Sequence, residues 1–199
     1  MIGITARPRA ILVAVLFGLT LSACGFNTIP TLEEQVKARW ADVQNQYQRR
    51  TDLIPNLVAT VQGYAKQEKE VLTAVVEARA KATQVRVDAS QLTDPEKLRQ
   101  FQDAQSALSG ALGRLLAVTE HYPDLKSNAN FLALQSQLEG TENRIAIARR
   151  DYIEAVRVYN TALRTFPTIL WAKTFYAGHE PMATFAAAEN AQAPPTVKF

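Results

Sequence analysis

The chain has 199 residues, of which 47% are hydrophobic and 21% are charged, a balance typical of a globular protein. Arg7 and Arg9 are the only charged residues before Cys24, so removing them from the formal net charge of +3 leaves +1 for the rest. A near-neutral chain without a clustered basic face excludes nucleic acid as an expected partner. The single cysteine excludes an internal disulfide.

The first 24 residues have the layout of a lipoprotein signal peptide. Arg7 and Arg9 precede a compact apolar run over residues 10–20, the basic and apolar regions of an export signal. Leu21, Ser22 and Ala23 then lead into Cys24, an arrangement that matches the lipobox. We therefore predict a signal peptide over 1–23, lipidation of Cys24, and a lipid-anchored linker over 24–30.

Two alternatives to a lipid anchor remain open at this stage. An uncleaved membrane span is disfavoured because residues 10–24 provide only about 15 residues where about 20 are needed. The other alternative is an ordinary signal peptide with a chance cysteine. Acyl chains at Cys24 would anchor the protein firmly, since each buried methylene contributes about 0.8 kcal/mol. We expect attachment to the cell membrane or the outer membrane, with the domain facing the periplasm. The residue after the cysteine is Gly25 and not aspartate, and by resemblance to the sorting rules of enteric bacteria this favours the outer membrane.

Apolar residues recur in steps of three and four from residue 31 onward, the spacing of packed helices. Thr31 and Glu34 predict a capping box at the start of the first helix. Its inner stripe contains one charge, in the order Val36, Trp40, Val43, Tyr47, Arg50 and Ile54.

Asp52 and Pro55 predict a turn near 52–55, since an unbroken helix from 31 to 86 would measure about 84 Å and lack a partner of its length. The absence of glycine there keeps the unbroken helix as the alternative.

Two further helices are predicted after a polar loop over 84–91. Asp94 and Pro95 begin the third, in which Gly110 and Gly113 suggest close approach of a neighbouring helix. Asn128 or Asn130 begins the fourth, which ends near Phe166. No useful β alternation occurs, so the sequence predicts an all-α, up-and-down antiparallel four-helix bundle over 31–166.

The C-terminal part divides into two segments. Residues 167–180 contain Trp171, Lys173, Phe175 and Tyr176, a composition typical of a membrane interface. Alternatively, these aromatic residues fold back and close the base of the core. Residues 181–199 are rich in Ala and Pro and are predicted to be a disordered tail.

Several segments together resemble the LemA family, and the resemblance covers about residues 33–178. They are residues 49–58, 63–65, 75–79, 108–118, 122–126, 141–146, 148–150, 159–161 and 166–167. The resemblance implies a membrane-attached domain with an up-and-down four-helix bundle, but no agreed biochemical activity. Many members carry a longer N-terminal transmembrane helix, whose place is taken here by the lipobox.

The sequence lacks the usual ligands and nucleophiles of an enzyme. Only His121 and His179 are present, and neither follows a glutamate by three residues as in di-iron bundles. We expect no metal, no cofactor and no catalytic residues. Helix counting instead proposes two buried ion pairs, Arg50 with Glu142 and Glu68 with Arg114. The alternative for Arg50 is that its charge reaches the surface.

If the first helix turns near 52–55, the end of the bundle far from the membrane gathers polar residues at a partner-binding tip. They are Arg49, Arg50, Asp52, Asn56, Tyr122, Asp124, Lys126 and Asn128. Capping and turn formation explain several of them equally well. We therefore expect a lipid-tethered interaction module for an envelope partner or, as the alternative, a structural envelope protein that acts by self-association as a homo-oligomer.

Overall fold

A computed structural model describes residues 25–186, so the predicted signal peptide, the lipobox, Cys24 and residues 187–199 lie outside it. The described chain contains no strand, which confirms the all-α prediction for this part of the protein. Six helices follow one another, with a 3-10 turn at Ala89–Gln91 before the third. They are α1 (Thr28–Tyr64), α2 (Lys69–Gln84), α3 (Pro95–Thr119), α4 (Pro123–Lys126), α5 (Ala129–Ala162) and α6 (Thr168–Thr174).

The start of α1 differs from the prediction, whereas the starts of α3 and α5 agree with it. Helix α1 begins at Thr28, where Asn27 makes no side-chain cap, so the capping box of Thr31 and Glu34 is wrong. Pro30 fits into the first turn because no helical bond needs its missing N–H. The Asp94 carboxylate accepts from Glu96 N at 3.0 Å, and Asn128 Oδ1 accepts from Phe131 N at 3.0 Å.

Helix α1 continues through Pro55, so the predicted turn near 52–55 is wrong. The chain turns instead after Tyr64, which also excludes one helix over 31–86. Pro55 is exposed, and it leaves the carbonyl of Thr51 without its usual donor because proline has no N–H. Arg79 Nε of α2 donates to that carbonyl oxygen at 3.1 Å. The long helix also has a partner of matching length, since α5 has 34 residues against 37 in α1.

The long helices pack as two antiparallel pairs. Helix α1 packs most extensively against α5, and α2 packs against α3. In the first pair the rings of Trp40 and Tyr152 are 5.3 Å apart, while farther along α1 Arg50 contacts Glu142. In the second pair Gln105 Nε2 donates to the carbonyl of Ala82 at 3.3 Å.

The core has two apolar clusters, one at each end of the helices. The base cluster includes Trp40, Phe101 and Tyr152 and lies near residue 25 and the chain after α5. The distal cluster includes Leu57, Leu115 and Phe131 and lies towards the turns at 65–68 and 120–128. We use "base" and "distal end" for these two ends below.

Gly110 and Gly113 do not mark a close helix approach, so that prediction is wrong. A Cβ built at either glycine would meet nothing within 4 Å. Helix α3 turns Leu108, Ala111, Leu112 and Leu115 towards the core, which leaves the two glycines facing outward.

Residues 181–186 pack against the helices, so the predicted disordered tail is wrong for this part. Side-chain amides hold the backbone: Asn160 donates to Met182 O and accepts from Met182 N, both at 2.9 Å. Gln102 makes the same pair of bonds with Ala186, at 2.8 and 3.2 Å. Phe185 is buried with its ring 6.0 Å from that of Trp40. Composition alone missed the segment because its partners lie in distant helices.

Replacing Phe185 with alanine should lower the free energy of unfolding by about 3 kcal/mol, because a buried aromatic ring is removed from the base cluster. Phe166→Ala is the matched control, since that ring is 79% exposed and its loss should cost less than about 0.5 kcal/mol. Urea unfolding followed by circular dichroism measures both. Equal stability of the two variants would contradict the packing of residues 181–186.

Candidate functional site

A layer of buried polar side chains separates the two apolar clusters. Five polar side chains are buried within residues 25–186, and four of them lie at this level: Arg50, Thr51, Gln105 and Thr141. On α1 the layer falls between Tyr47 of the base cluster and Ile54 of the distal cluster. It is therefore placed by the same three-and-four spacing that forms the core. We call this set, with Arg79, Ser109 and Glu142, the polar layer.

Arg50 joins three helices within the polar layer. Its side chain is 1% exposed, and Nη1 donates to Ser109 Oγ at 2.8 Å and to Glu142 Oε1 at 3.1 Å. Nη2 donates to the side-chain oxygen of Gln105 and, at 3.3 Å, to its carbonyl. The guanidinium carbon also lies 5.0 Å from the ring centre of Tyr47. The sequence proposed this contact with Glu142, and the burial of Arg50 rules out the surface alternative.

The polar layer fixes the register of the helices more than it adds stability. Burying a guanidinium costs solvation, and its Nε has no hydrogen-bond partner within residues 25–186. Glu142 remains 41% exposed, so the ion pair is partly hydrated. Only one alignment of α1, α3 and α5 gives Arg50 these acceptors. A shift of one helix would leave a buried charge unpaired, which costs about 3–5 kcal/mol.

Arg79 brings α2 into the polar layer. Its Nε donates to the Thr51 carbonyl that Pro55 leaves free, while Thr51 Oγ1 donates to the carbonyl of Tyr47 at 3.0 Å. Sequence reasoning missed Arg79 and the roles of Gln105 and Ser109. Two signals were available: Gln105 lies on the inner stripe of α3, and Thr51 lies four residues before a proline.

The eight residues predicted for the tip do not lie together. Arg49, Arg50, Asp52 and Asn56 lie within α1, and Asp52 is about three turns from its distal end, because α1 does not turn at Pro55. Arg49, Asp52 and Asn56 are exposed along the helix. The other four do lie at the distal end: Tyr122, Asp124, Lys126 and Asn128.

The distal end is held by hydrogen bonds between its two turns. Tyr122 Oη donates to Glu68 Oε1 at 2.8 Å, a bond that raises the pKa of the Tyr122 hydroxyl. Asn128 Nδ2 donates to Tyr64 Oη at 2.9 Å. Glu68 therefore accepts a hydrogen bond from Tyr122. Within the described residues no ion pair joins Glu68 to Arg114, so that proposed pair is wrong. The predicted pair assumed that the second helix begins near residue 55. Because α2 begins at Lys69, its residues lie opposite other residues of α3 than the prediction assumed.

A half-open cleft of about 360 Å³ lies beside the polar layer, between α1 and residues 82–88. Its lining includes Tyr47, Phe101 and Gln105, together with the charged residues Arg86 and Asp88. None of these groups forms a nucleophile–base pair in the described chain. Residues 25–186 contain no group of three or more His, Cys, Asp or Glu placed to hold a metal ion. In the same range, no helix is both long and apolar enough to cross a membrane.

Comparison with known proteins gives one family. The sequence profile of the LemA family matches residues 39–199. Magnetosome protein MamQ 2 of Paramagnetospirillum magneticum is 26% identical over 158 residues, covering 71% of this chain and 58% of its own length. Magnetosome protein MamQ of Magnetospirillum gryphiswaldense is 24% identical with the same coverage. Protein LemA of Metamycoplasma hominis is 26% identical over 126 residues, covering 63% of this chain and 53% of its own length. The chain thus spans little more than half the length of these relatives.

The bond between Arg79 and the Thr51 carbonyl predicts a specific coupling with Pro55. Arg79→Ala should lower the free energy of unfolding by about 1–3 kcal/mol, since a partly buried carbonyl loses its donor. In a Pro55→Ala background the new backbone N–H supplies that donor, so the loss should shrink by about 1 kcal/mol. A double-mutant cycle in urea measures the coupling.

Pro30→Ala provides the matched control, because Pro30 lies in the first turn of the same helix. Its effect should add to that of Arg79→Ala without coupling. Additive effects for Pro55 as well would show that Arg79 does not compensate for the proline.

Proposed function

This chain belongs to the LemA family, and we propose that it is a lipid-tethered, non-enzymatic protein of the bacterial cell envelope whose distal end binds another envelope protein. The relatives carry two names, magnetosome protein and protein LemA, and neither name states a reaction. Their similarity supports a membrane-associated role for the helical domain. The chemistry of the cleft supports binding over catalysis, since its lining is mainly amide, hydroxyl and aromatic.

The tether is supported by the sequence of residues 1–24 and by the position of the base. Lipid attached to Cys24 would leave the three residues 25–27 before α1 begins at Thr28. The base of the domain is then held close to the cell membrane or outer membrane, with the helices extending into the periplasm. We infer that the four long helices form an up-and-down bundle, because successive long helices run in opposite directions.

The unbroken length of α1 is the observation that carries the proposal. Its 37 residues span about 56 Å. A tether at one end therefore keeps the turns at 65–68 and 120–128 far from the lipid. Lys66, Gln67, Asp124 and Lys126 are exposed there, and each turn contains one buried apolar residue, Ala65 in the first and Leu125 in the second. Exposed polar side chains on a rigid support are the usual composition of a binding loop.

Self-association of the helix faces is the second candidate. Val76, Ile147 and Ile153 are 51%, 50% and 38% exposed along the helices. Such side chains could join two copies of the chain. They are divided between α2 and α5, and single exposed apolar side chains are normal on a protein surface. The distal end therefore remains the preferred contact surface.

Photo-cross-linking in cells separates the two functions. A photoreactive residue at Gln67 or Asp124 should capture a different envelope protein, whereas one at Asp103 on the side of α3 should not. The charge reversal Asp124→Lys should reduce capture from Gln67 several-fold, because it changes the surface that meets the partner. Asp52→Lys is the matched control, since Asp52 is an exposed aspartate about three turns away from the distal end.

Capture of copies of the chain alone would favour self-association and sink the partner-binding proposal. Equal capture of another protein from Asp103 and from Gln67 would contradict the assignment to the distal end. Circular dichroism of each variant confirms that the helices are retained.

A further inference from the structure

The base carries the most exposed apolar side chains of the described chain. Nine large hydrophobic residues are exposed in residues 25–186, and the three highest values belong to Phe166 at 79%, Phe175 at 67% and Leu170 at 55%. Phe26, at 37%, joins them. We call Phe26, Phe166, Leu170, Trp171 and Phe175 the aromatic foot. An exposed apolar concentration at one end of a domain marks an interaction surface.

The aromatic foot is a packed structure in its own right. The Phe26 ring centre lies 5.5 Å from that of Trp171 and 5.5 Å from that of Phe175, with both pairs edge to face. Trp171 and Phe175 are themselves 5.9 Å apart. These contacts hold the N-terminal end of the described chain against α6. The exposed side chains are therefore presented on a firm support.

Helix α6 has apolar residues on both of its faces. Ala172 is buried, and Trp171 and Tyr176 pack against the base cluster, so one face closes the core. Leu170 and Phe175 remain exposed on the other. The two interpretations drawn from the sequence thus apply to different residues. Trp171 and Tyr176 close the base, whereas Phe175 stays exposed. Phe26, Phe166 and Leu170 are exposed with it, although the sequence did not assign them to a membrane interface.

The segment that carries most of the aromatic foot has basic charges only. Residues 163–178 contain Arg164 and Lys173, both exposed, and contain no Asp or Glu. Aromatic side chains flanked by basic ones suit the interfacial region of a bilayer with anionic lipids.

The chain enters the described structure at the aromatic foot. Gly25 follows Cys24 directly, and a Cβ built on Gly25 would lie 3.8 Å from Trp171 Nε1. Acyl chains on Cys24 would therefore enter the lipid beside Trp171. This position favours a bilayer as the occupant of the exposed surface.

We propose that the aromatic foot inserts into the interface of the membrane that holds Cys24, giving the protein a second membrane contact. This inference rests on the lipid tether of the proposed function. A single flexible attachment would let the domain tilt freely over the lipid. Insertion of Phe166, Leu170 and Phe175 would hold the base on the membrane and direct the distal end away from it.

Quenching of tryptophan emission by brominated lipids tests the insertion. The chain has two tryptophans, and Trp40 is 1% exposed inside the core, so quenching reports on Trp171. The Trp171 ring is partly buried, but it lies 5.5 Å from that of Phe26 and 5.9 Å from that of Phe175, so acyl chains that surround the foot come close to it. The lipidated full chain is placed in vesicles of phosphatidylcholine and phosphatidylglycerol with bromines on the acyl chains. We expect its emission to be quenched and Trp171→Phe to abolish that quenching.

Two triple serine variants, one in the aromatic foot and one elsewhere on the helices, test whether the quenching depends on the foot. Phe166→Ser, Leu170→Ser and Phe175→Ser together should reduce the quenched fraction at least about twofold, because interfacial burial falls with apolar area. Val76→Ser, Leu132→Ser and Ile147→Ser change side chains that are 51%, 49% and 50% exposed elsewhere and should leave it unchanged.

Flotation of the vesicles distinguishes the two possible failures. Protein that floats with the vesicles but shows unquenched Trp171 would overturn the aromatic foot while the tether stands. Protein that does not float would overturn the tether and this inference with it. Unquenched Trp171 combined with cross-links between copies through residue 175 would assign the surface to self-association instead.

Discussion

The guanidinium of Arg50 has to find acceptors inside a core that is otherwise apolar, and the arrangement of the long helices follows from where those acceptors are. Gln105 and Ser109 supply them from α3, and Glu142 supplies one from α5. Apolar contacts tolerate sliding by a turn, because one leucine replaces another at similar cost. A buried charge does not, since its partners exist at one level only. The polar layer therefore aligns the base and distal clusters on a common register.

The same level of the structure keeps α1 continuous. Pro55 removes the donor of the Thr51 carbonyl, and Arg79 replaces it from α2. The proline would otherwise favour a bend or a break at mid-helix. With the helix intact, the base and the distal end are separated by a rigid path. The two ends differ in chemistry: exposed aromatic side chains lie at the base, and polar turns lie at the other end. This separation fits the proposed function, in which one end is tethered to the membrane and the other end binds a partner.

Much of the fold follows from local sequence, whereas the corrections come from long-range contacts. Spacing of apolar residues predicts the helices, and it also places Arg50 at the level of Glu142. Pro55 and the helix lengths predict a turn near 52–55. The prediction is wrong because the missing donor is supplied by Arg79, which is 28 residues away from Thr51 in the sequence. Composition predicts that residues 181–186 belong to a disordered Ala- and Pro-rich tail, because Asn160 and Gln102, which hold them, lie elsewhere in the chain. Of the residues predicted for the distal end, the four from 122–128 lie there. The four from α1 do not, because their placement depended on the turn near 52–55.

The distance between two points on α1 tests the continuity of this helix most directly. Spin labels at Arg39→Cys and Gln62→Cys lie on exposed positions on either side of Pro55. Double electron–electron resonance should give a narrow distribution near about 35 Å, since 23 residues of helix rise by about 1.5 Å each. A turn at 52–55 would fold position 62 back beside the first half of the helix and give less than about 20 Å. That shorter distance would contradict the account.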